Sequence, residues 1–237
     1  MMLSIIIPVY NEEKTISKVL KNVIDLKIPG VEKEIIVVDD GSTDMTASKI
    51  KELRSKLKGF RFIEHGKNQG KGAAVRTGIK NAKGEYIIIQ DADLEYDVND
   101  IPRLFSKLDV NQKVIYGTRL ARMPHINAEE SRFQFLLHYF GNRFLSLVTS
   151  ILYGQWITDM ETCYKLFPKN ATVGMKLNAR GFEFEPEITA KLLKKGYKIK
   201  EIPIKTKPRG YEEGKKLNTI RDGTKALVTL IKYRISD

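Results

Sequence analysis

Asp91, Asp93 and Glu95 alternate along the segment Asp91-Ala92-Asp93-Leu94-Glu95, directly after the apolar run Tyr86-Ile87-Ile88-Ile89. A short β-branched run bounded by Gly84 and by acids predicts a buried strand. Three carboxylates then emerge together at its C-terminal end, the edge where open α/β sheets bind ligands. Clustered carboxylates repel one another unless a cation sits among them. A hard divalent ion that also grips a diphosphate is the economical reason to build such a group. The alternative is a solvated acidic loop, or a cap for the next helix.

Other residues suit the same chemistry. Asp40, at a second strand end, could accept hydrogen bonds from a base or ribose, or could cap the helix after Gly41-Ser42-Thr43. Gly66-Lys67-Asn68-Gln69-Gly70-Lys71-Gly72 precedes a helix and could approach phosphates, but lacks the Gly-Lys-Ser/Thr ending of a P-loop. The stretch from Lys205 to Lys216 is basic and holds Pro208, Gly210 and Gly214, so it reads as a loop. Its Arg209, Lys215 and Lys216 could close over phosphates and stabilise transition-state charge, and Arg119 is a further candidate.

The elements that must position these groups alternate. Strands are predicted at Leu3–Val9, Glu34–Val38, Phe60–Glu64, Tyr86–Gln90 and Lys113–Gly117. Between them run helices: one capped by Asn11 with Glu12 and Glu13 in its first turn, one from Thr43 to Leu57, one from Gly70 to Ala82 and one near Asp100–Leu108. Such alternation predicts an α/β fold with a mainly parallel, Rossmann-like sheet and helices on both faces. Right-handed crossovers then gather Pro8–Glu12, Asp39–Ser42 and Asp91–Glu95 on one edge. The last third differs. A long helix, Ser131–Leu152, is apolar around much of its circumference; buried core is expected for most of it, with a membrane-interface face as the alternative. A strand (Cys163–Phe167), a helix (Glu185–Lys195), a strand (Lys198–Ile204) and a final amphipathic helix (Thr219–Ile235) follow.

The chain has 237 residues, 42% of them hydrophobic, enough for one large α/β domain. Cys163 is the single cysteine, which fits a reducing compartment. The N-terminus enters a strand with no basic n-region, and no apolar stretch approaches the roughly 20 residues of a membrane span, so a cytoplasmic, soluble or peripheral protein is expected. The net charge of +12 suggests an anionic partner or a Lys-rich solvated surface.

Taken in order, Ile7-Pro8-Val9-Tyr10-Asn11-Glu12, Val37-Val38-Asp39-Asp40-Gly41-Ser42, Asn68-Gln69-Gly70-Lys71-Gly72, Asp91-Ala92-Asp93-Leu94-Glu95 and Gly117-Thr118-Arg119 resemble the signature of family 2 glycosyltransferases. Thr158-Asp159-Met160-Glu161-Thr162-Cys163-Tyr164-Lys165 and Pro208-Arg209…Glu213-Gly214-Lys215-Lys216 resemble the polyprenyl-phosphate branch, the dolichyl-phosphate mannose and glucose synthases.

The resemblance implies a single glycosyltransferase A-type domain over 1–237, with 1–120 serving the nucleotide sugar and 121–237 the acceptor. It implies inverting transfer of a hexose from a nucleotide-sugar donor to a polyprenyl or dolichyl phosphate. Pro8, Tyr10, Glu12, Val38 and Asp40 would hold the nucleoside, with Asp91 and Ala92 beside it; Asp93 and Glu95 would bind Mg²⁺ or Mn²⁺. Arg119, Arg132, Arg209, Lys215 and Lys216 would hold the diphosphate and the acceptor phosphate, and Asp159 and Glu161 would act as bases or orient the acceptor, or pair with nearby Arg or Lys. Mannose-transferring members often carry Gln where this chain has Glu95, so the donor (UDP-glucose, UDP-N-acetylglucosamine or GDP-mannose) stays open. Some members continue into transmembrane helices; here the expectation is peripheral attachment to an anionic, cytoplasmic membrane face. A polysaccharide- or protein-directed transferase is the alternative acceptor class. A nucleotidyltransferase would carry an N-terminal glycine-rich loop, absent from Leu3–Glu12, and a nucleic-acid binder leaves the converging acids unexplained.

Overall fold

The computed structural model describes residues 1–119, 132–207 and 218–236, with side chains in the long helix from Tyr139 onward. Among the described residues seven strands form one sheet: β1 (Met2–Val9), β2 (Glu32–Asp39), β3 (Phe60–Glu64), β4 (Tyr86–Ile89), β5 (Val114–Thr118), β6 (Lys165–Pro168) and β7 (Ile199–Pro203). Their order is β3-β2-β1-β4-β6-β5-β7. Only β6 runs antiparallel to its neighbours. The helices are α1 (Ile16–Asp25), α2 (Thr46–Lys56), α3 (Lys71–Asn81), α4 (Asp100–Phe105), α5 (Arg132–Tyr153), α6 (Phe184–Lys194) and α7 (Thr219–Ile235).

The central strands are apolar because both their faces are covered. Ile5, Ile6 and Ile7 of β1, Ile36 to Val38 of β2 and Ile87 to Ile89 of β4 are all fully buried. The chain runs from β1 outward through β2 to β3, then returns to place β4 on the other side of β1. Right-handed crossovers therefore put α1 and α2 on one face and α3 on the other. The strand order reverses between β1 and β4, and this switch point opens the crevice where such sheets take ligands.

The reversed strand has a consequence for the site. Parallel strands deliver their C-terminal ends to the crevice, so antiparallel β6 delivers its N-terminal end. Lys165 and the residues just before it therefore join the ends of β1, β2, β4 and β5.

Two expectations are corrected here. Asn11 does not cap α1, which begins only at Ile16 with no acidic residue in its first turn. Asn11 instead adopts φ 48° and bridges to the loop after β2, accepting from the Thr43 amide at 2.8 Å while its own amide donates to Ser42 Oγ. The long helix is also not mainly core over its described part. In α5 the buried face carries Leu145, Ser146, Thr149 and Ser150, whereas Phe140, Phe144, Leu147 and Ile151 point outward. The buried hydroxyls are satisfied: Thr149 donates to the Leu145 carbonyl, Ser146 Oγ accepts from the Met160 amide, and Ser150 Oγ accepts from the Ile157 amide. Burying them fixes the 157–160 segment, which carries Asp159.

Candidate active site

Three loops meet at the crevice, as the alternation implies. Their strands are in register, with Val9 opposite Asp39 and Ile6 opposite Ile89. Pro8 and Val38 pair across β1 and β2, and Val38 is buried. Glu12 is nearly buried and accepts from Thr15 Oγ1, while its amide donates to Thr46 Oγ1 at 2.8 Å. Tyr10 is partly exposed at the same edge.

Asp40 has a different task from the one expected of its carboxylate. It is only 2% exposed, and it accepts from His65 Nδ1 at 2.7 Å, the Gln69 amide and the Gly70 amide. It neither caps α2 nor presents an uncommitted oxygen to a nucleoside; it moors the glycine-rich loop. The glycines of that loop serve close backbone packing. A Cβ on Gly70, at φ 99°, would meet the Arg180 carbonyl oxygen, and one on Gly72 would meet those of Ala179 and Gly181 at 2.8 Å. At these two positions the backbone approaches the 179–181 segment too closely for any side chain.

Mooring the loop fixes the start of α3, and with it Lys71. The Lys71 ammonium stands 2.7 Å from Asp91 and 3.7 Å from Glu185. Burial opposes its charge, but Asp91 and Glu185 hold its pKa well above the ordinary lysine value. Burial pushes Asp91 up, and Lys71 more than offsets this, leaving it below the ordinary aspartate value. Asp91 is thus neutralised by protein, while Ala92 beside it is buried.

Asp93 and Glu95 follow Asp91 on the same loop. Leu94 between them takes φ 65°, a left-handed conformation costing about 1 kcal/mol for a residue with a side chain. This kink lets the Glu95 amide donate to Asp93 Oδ1 at 3.1 Å. Among the described residues, no group of three or more His, Cys, Asp or Glu stands ready to enclose a metal. The donor set fits an ion that takes one or two carboxylates and completes its shell with phosphate oxygens and water, as Mg²⁺ does.

Opposite these acids, Arg119 follows β5 and is gripped by Asp159. Asp159 accepts from the Arg119 backbone amide, Nε and Nη2, each at 2.8 Å. Asp159 is fully buried; burial pushes its pKa up, but Arg119 holds it below the ordinary value. Of the two roles open to it, Asp159 takes the ion pair and orients Arg119. Two of the five guanidinium N–H donors are used on Asp159, leaving three for an anion. Glu161 differs. Burial, with the Glu185 charge adding to it and Lys165 opposing, raises its pKa to about 7.

Sequence reading missed Glu185 and Lys165. Lys165 is fully buried at the start of β6, 2.7 Å from Glu185 Oε2, with its ammonium donating to the Met160 carbonyl at 2.8 Å and also to that of Thr162. Glu185 is equally buried in the first turn of α6. A buried Lys before an apolar strand and a Glu at a helix start were the available signals, but their pairing spans the crossover and has no local signature. Arg132 lies at the start of α5; Arg209, Lys215 and Lys216 lie outside the described residues. Their segment nonetheless starts at the site. Tyr96 bridges Thr206 in antiparallel fashion, and the Lys207 amide donates to the Glu95 carbonyl at 2.9 Å.

The model of the glycosyl transferase family 2 matches residues 4–171 of this chain. The chain belongs to family 2 of the glycosyltransferases. Among its relatives, the dolichol-phosphate mannosyltransferase of Pyrococcus furiosus is 30% identical over 98% of this chain and 64% of its own length. The UDP-N-acetylglucosamine--dolichyl-phosphate N-acetylglucosaminyltransferase of Methanococcus voltae is 30% identical over 85% of this chain and 84% of its own length. Among solved structures, glucosyl-3-phosphoglycerate synthase from Mycobacterium tuberculosis, in complex with Mn²⁺, UDP and phosphoglyceric acid, superposes with a TM-score of 0.73. It covers 100% of this chain and 79% of its own, at 17% identity. This likeness shows the fold of a family 2 glycosyltransferase to be glycosyltransferase A-type.

Proposed function

We propose that this glycosyltransferase moves a hexose from a nucleotide sugar to a polyprenyl or dolichyl phosphate at a membrane surface. One observation supports the reading: the segment that leads into the basic stretch meets the acid-bearing loop, where the Lys207 amide donates to the Glu95 carbonyl. A site that joins an anionic donor to an anionic acceptor needs such a meeting of charges. Two relatives that span most of this chain are named for dolichyl-phosphate transfer.

In this reading Asp93 and Glu95 hold Mg²⁺ or Mn²⁺, which when bound neutralises charge on the departing diphosphate. The remaining work belongs to the chain. Pro8, Tyr10, Glu12 and Val38 shape the nucleoside side, with Asp40 acting through the loop it moors. Lys71 keeps Asp91 from adding a bare charge next to the diphosphate. Arg119, pre-oriented by Asp159, offers donors to a phosphate oxygen at no cost of reorganisation. Arg132, Arg209, Lys215 and Lys216 supply further cations. An acceptor phosphate is already ionised at neutral pH, so alignment and charge neutralisation carry the catalysis with little need for a general base.

The membrane surface fits the outward faces of α5 and α7. Tyr153 donates to the Leu230 carbonyl at 2.8 Å and ties the two helices together. Phe140, Phe144, Leu147 and Ile151 on α5 and Val228 and Ile231 on α7 are exposed, beside exposed Lys225, Lys232 and Arg234. Apolar residues flanked by cations suit an anionic bilayer interface. Among the described residues, no helix is long and apolar enough to cross a membrane.

Acceptor competition tests the reading. Labelled donor and Mn²⁺ are supplied with polyprenyl phosphate and a soluble glycan or peptide in one vessel. Label in the organic phase is expected; label confined to the soluble acceptor would establish the alternative acceptor class instead.

A further inference from the structure

Glu187 is fully buried in the first turn of α6, where the helix dipole favours an acid. Both its carboxylate oxygens are in use. The Asn178 amide donates to Oε1 at 2.8 Å, the Ala179 amide to Oε2 at 2.7 Å, and the Tyr233 hydroxyl to Oε1 at 2.6 Å. The Lys191 ammonium, one turn on, stands 3.4 Å away and balances the charge. It also lies over the Tyr233 ring, 4.3 Å from the centroid. One carboxylate thus joins two segments far apart in sequence: the loop before α6, and α7.

Each segment leads further. The 177–181 stretch is the wall against which α3 begins. The Ala73 amide donates to the Arg180 carbonyl at 3.1 Å, and Arg76 Nη1 donates to the Leu177 carbonyl at 2.8 Å. Gly70 and Gly72 lie against the same wall with no room for a Cβ. Lys71 stands between these glycines, so the wall sets where its ammonium meets Asp91. In the other direction, Ala226, Leu230 and Tyr233 are the buried positions of α7, at helical spacing, while Val228 and Ile231 face outward. The helix whose outer face carries the proposed membrane contact is therefore held, by its inner face, to the segment that backs Lys71.

We propose that Glu187 and Tyr233 are positioning residues: through the 178–181 backbone they tie the seating of α7 to the placement of Lys71, so that the surface helix and the donor side of the site move as one unit. This rests on the proposed transferase reading, which gives Lys71 its task beside the diphosphate. The Tyr233 hydroxyl is not needed to neutralise Glu187, because Lys191 does so; what it adds is position. A hydrogen bond to a buried carboxylate is worth about tenfold to a hundredfold in an equilibrium constant, enough to hold one seating of the helix over another.

Amide hydrogen exchange of the full chain tests the tie with two variants. Tyr233→Phe keeps the ring over Lys191 and removes only the hydroxyl. Tyr153→Phe removes the other hydroxyl that holds α7, the one on the Leu230 carbonyl, and leaves Glu187 untouched. In Tyr233→Phe, exchange at 70–74 and at 178–181 is expected to quicken about fivefold or more, with β1 within about twofold of wild type. In Tyr153→Phe, the quickening is expected in α7 and not at 70–74. Calorimetric titration with Mn²⁺ and UDP or GDP reads the consequence for the site. The nucleotide that wild type binds is expected to bind Tyr233→Phe about three- to tenfold more weakly, and Tyr153→Phe within about twofold of wild type. Quickening confined to α7 in Tyr233→Phe, or spread equally to β1, overturns the tie. So does an equal response at 70–74 in both variants. Faster exchange at 70–74 with undiminished nucleotide binding overturns the positioning role. A wild type that binds neither nucleotide removes the transferase reading instead, and the exchange pattern then judges the tie by itself.

Discussion

Arg119 and Asp159 are joined by three hydrogen bonds of 2.8 Å, one to the backbone amide and two to the guanidinium of the same arginine. The strand end and the side chain are thereby fixed together. Asp159 in turn is delivered by a segment whose amides are held by hydroxyls of α5. Replacing Asp159 by Asn keeps the shape and removes the charge. Breaking a buried pair in this way is expected to cost about 3 kcal/mol of stability, and turnover is expected to fall at least tenfold as Arg119 loses its orientation. The depressed Asp159 pKa sets the sign with pH. Its stabilisation is present above the unfolded aspartate value of about 3.9 and is lost as the pH falls through the lower folded value. Urea denaturation at pH 7 and near pH 3 should therefore show the gap between wild type and variant narrowing in acid.

Glu161 predicts the opposite slope. Its folded pKa of about 7 lies above that of an unfolded glutamate, so the folded state holds the proton more tightly. Wild-type stability should decline as the pH rises from about 4.3 to about 7. Glu161→Gln should escape this decline and be stabilised by roughly 1–3 kcal/mol at pH 8, with little difference at pH 4. Melting temperatures of the two proteins across that range check it; parallel curves would contradict the raised pKa.

The glycine-rich loop predicts a sharp positional contrast. Gly70→Ala combines φ 99° with a clash on the Arg180 carbonyl, and should cost about 3 kcal/mol and most of the activity, because Lys71 would move. Gly30→Ala has a similar backbone sign, φ 71°, but open space around it, and should cost about 1 kcal/mol with activity intact. Thermal melts and rates on the two variants measure the contrast.

Much of this site is legible in the chain. Phe60–Glu64 and Thr219–Ile235 are read to the residue, because a β-branched or aromatic run and a helical stripe each end at clear polar boundaries. The gathering of the acidic loops follows from alternation and handedness alone. What local patterns do not show is reciprocity between distant side chains. Asn11 looks like a cap because its competing partner, Thr43, belongs to another loop. Asp40 looks uncommitted because its partners, His65, Gln69 and Gly70, follow the next strand. Lys71, Asp91, Lys165 and Glu185 form one charge chain only after β6 enters the sheet backwards between β4 and β5. The outward face of α5 escapes the periodicity because buried Ser146, Thr149 and Ser150 are hydroxylic, not apolar.

That face makes its own prediction. Phe144→Glu with Ile151→Glu should reduce sedimentation with anionic liposomes by tenfold or more while leaving the melting temperature nearly unchanged, since both side chains are more than half exposed. Wild-type binding should weaken as salt rises. Equal sedimentation of variant and wild type would exclude this face as the contact.

The most direct test of the account is the rate of glycolipid formation with polyprenyl phosphate and Mn²⁺, using UDP-glucose, UDP-N-acetylglucosamine and GDP-mannose in turn. One donor should yield an organic-phase product whose formation stops with EDTA and falls at least a hundredfold in Asp93→Ala, about 3 kcal/mol of lost transition-state stabilisation. No product from any donor with a folded protein that binds Mn²⁺, or an Asp93→Ala variant with the wild-type rate, would contradict it.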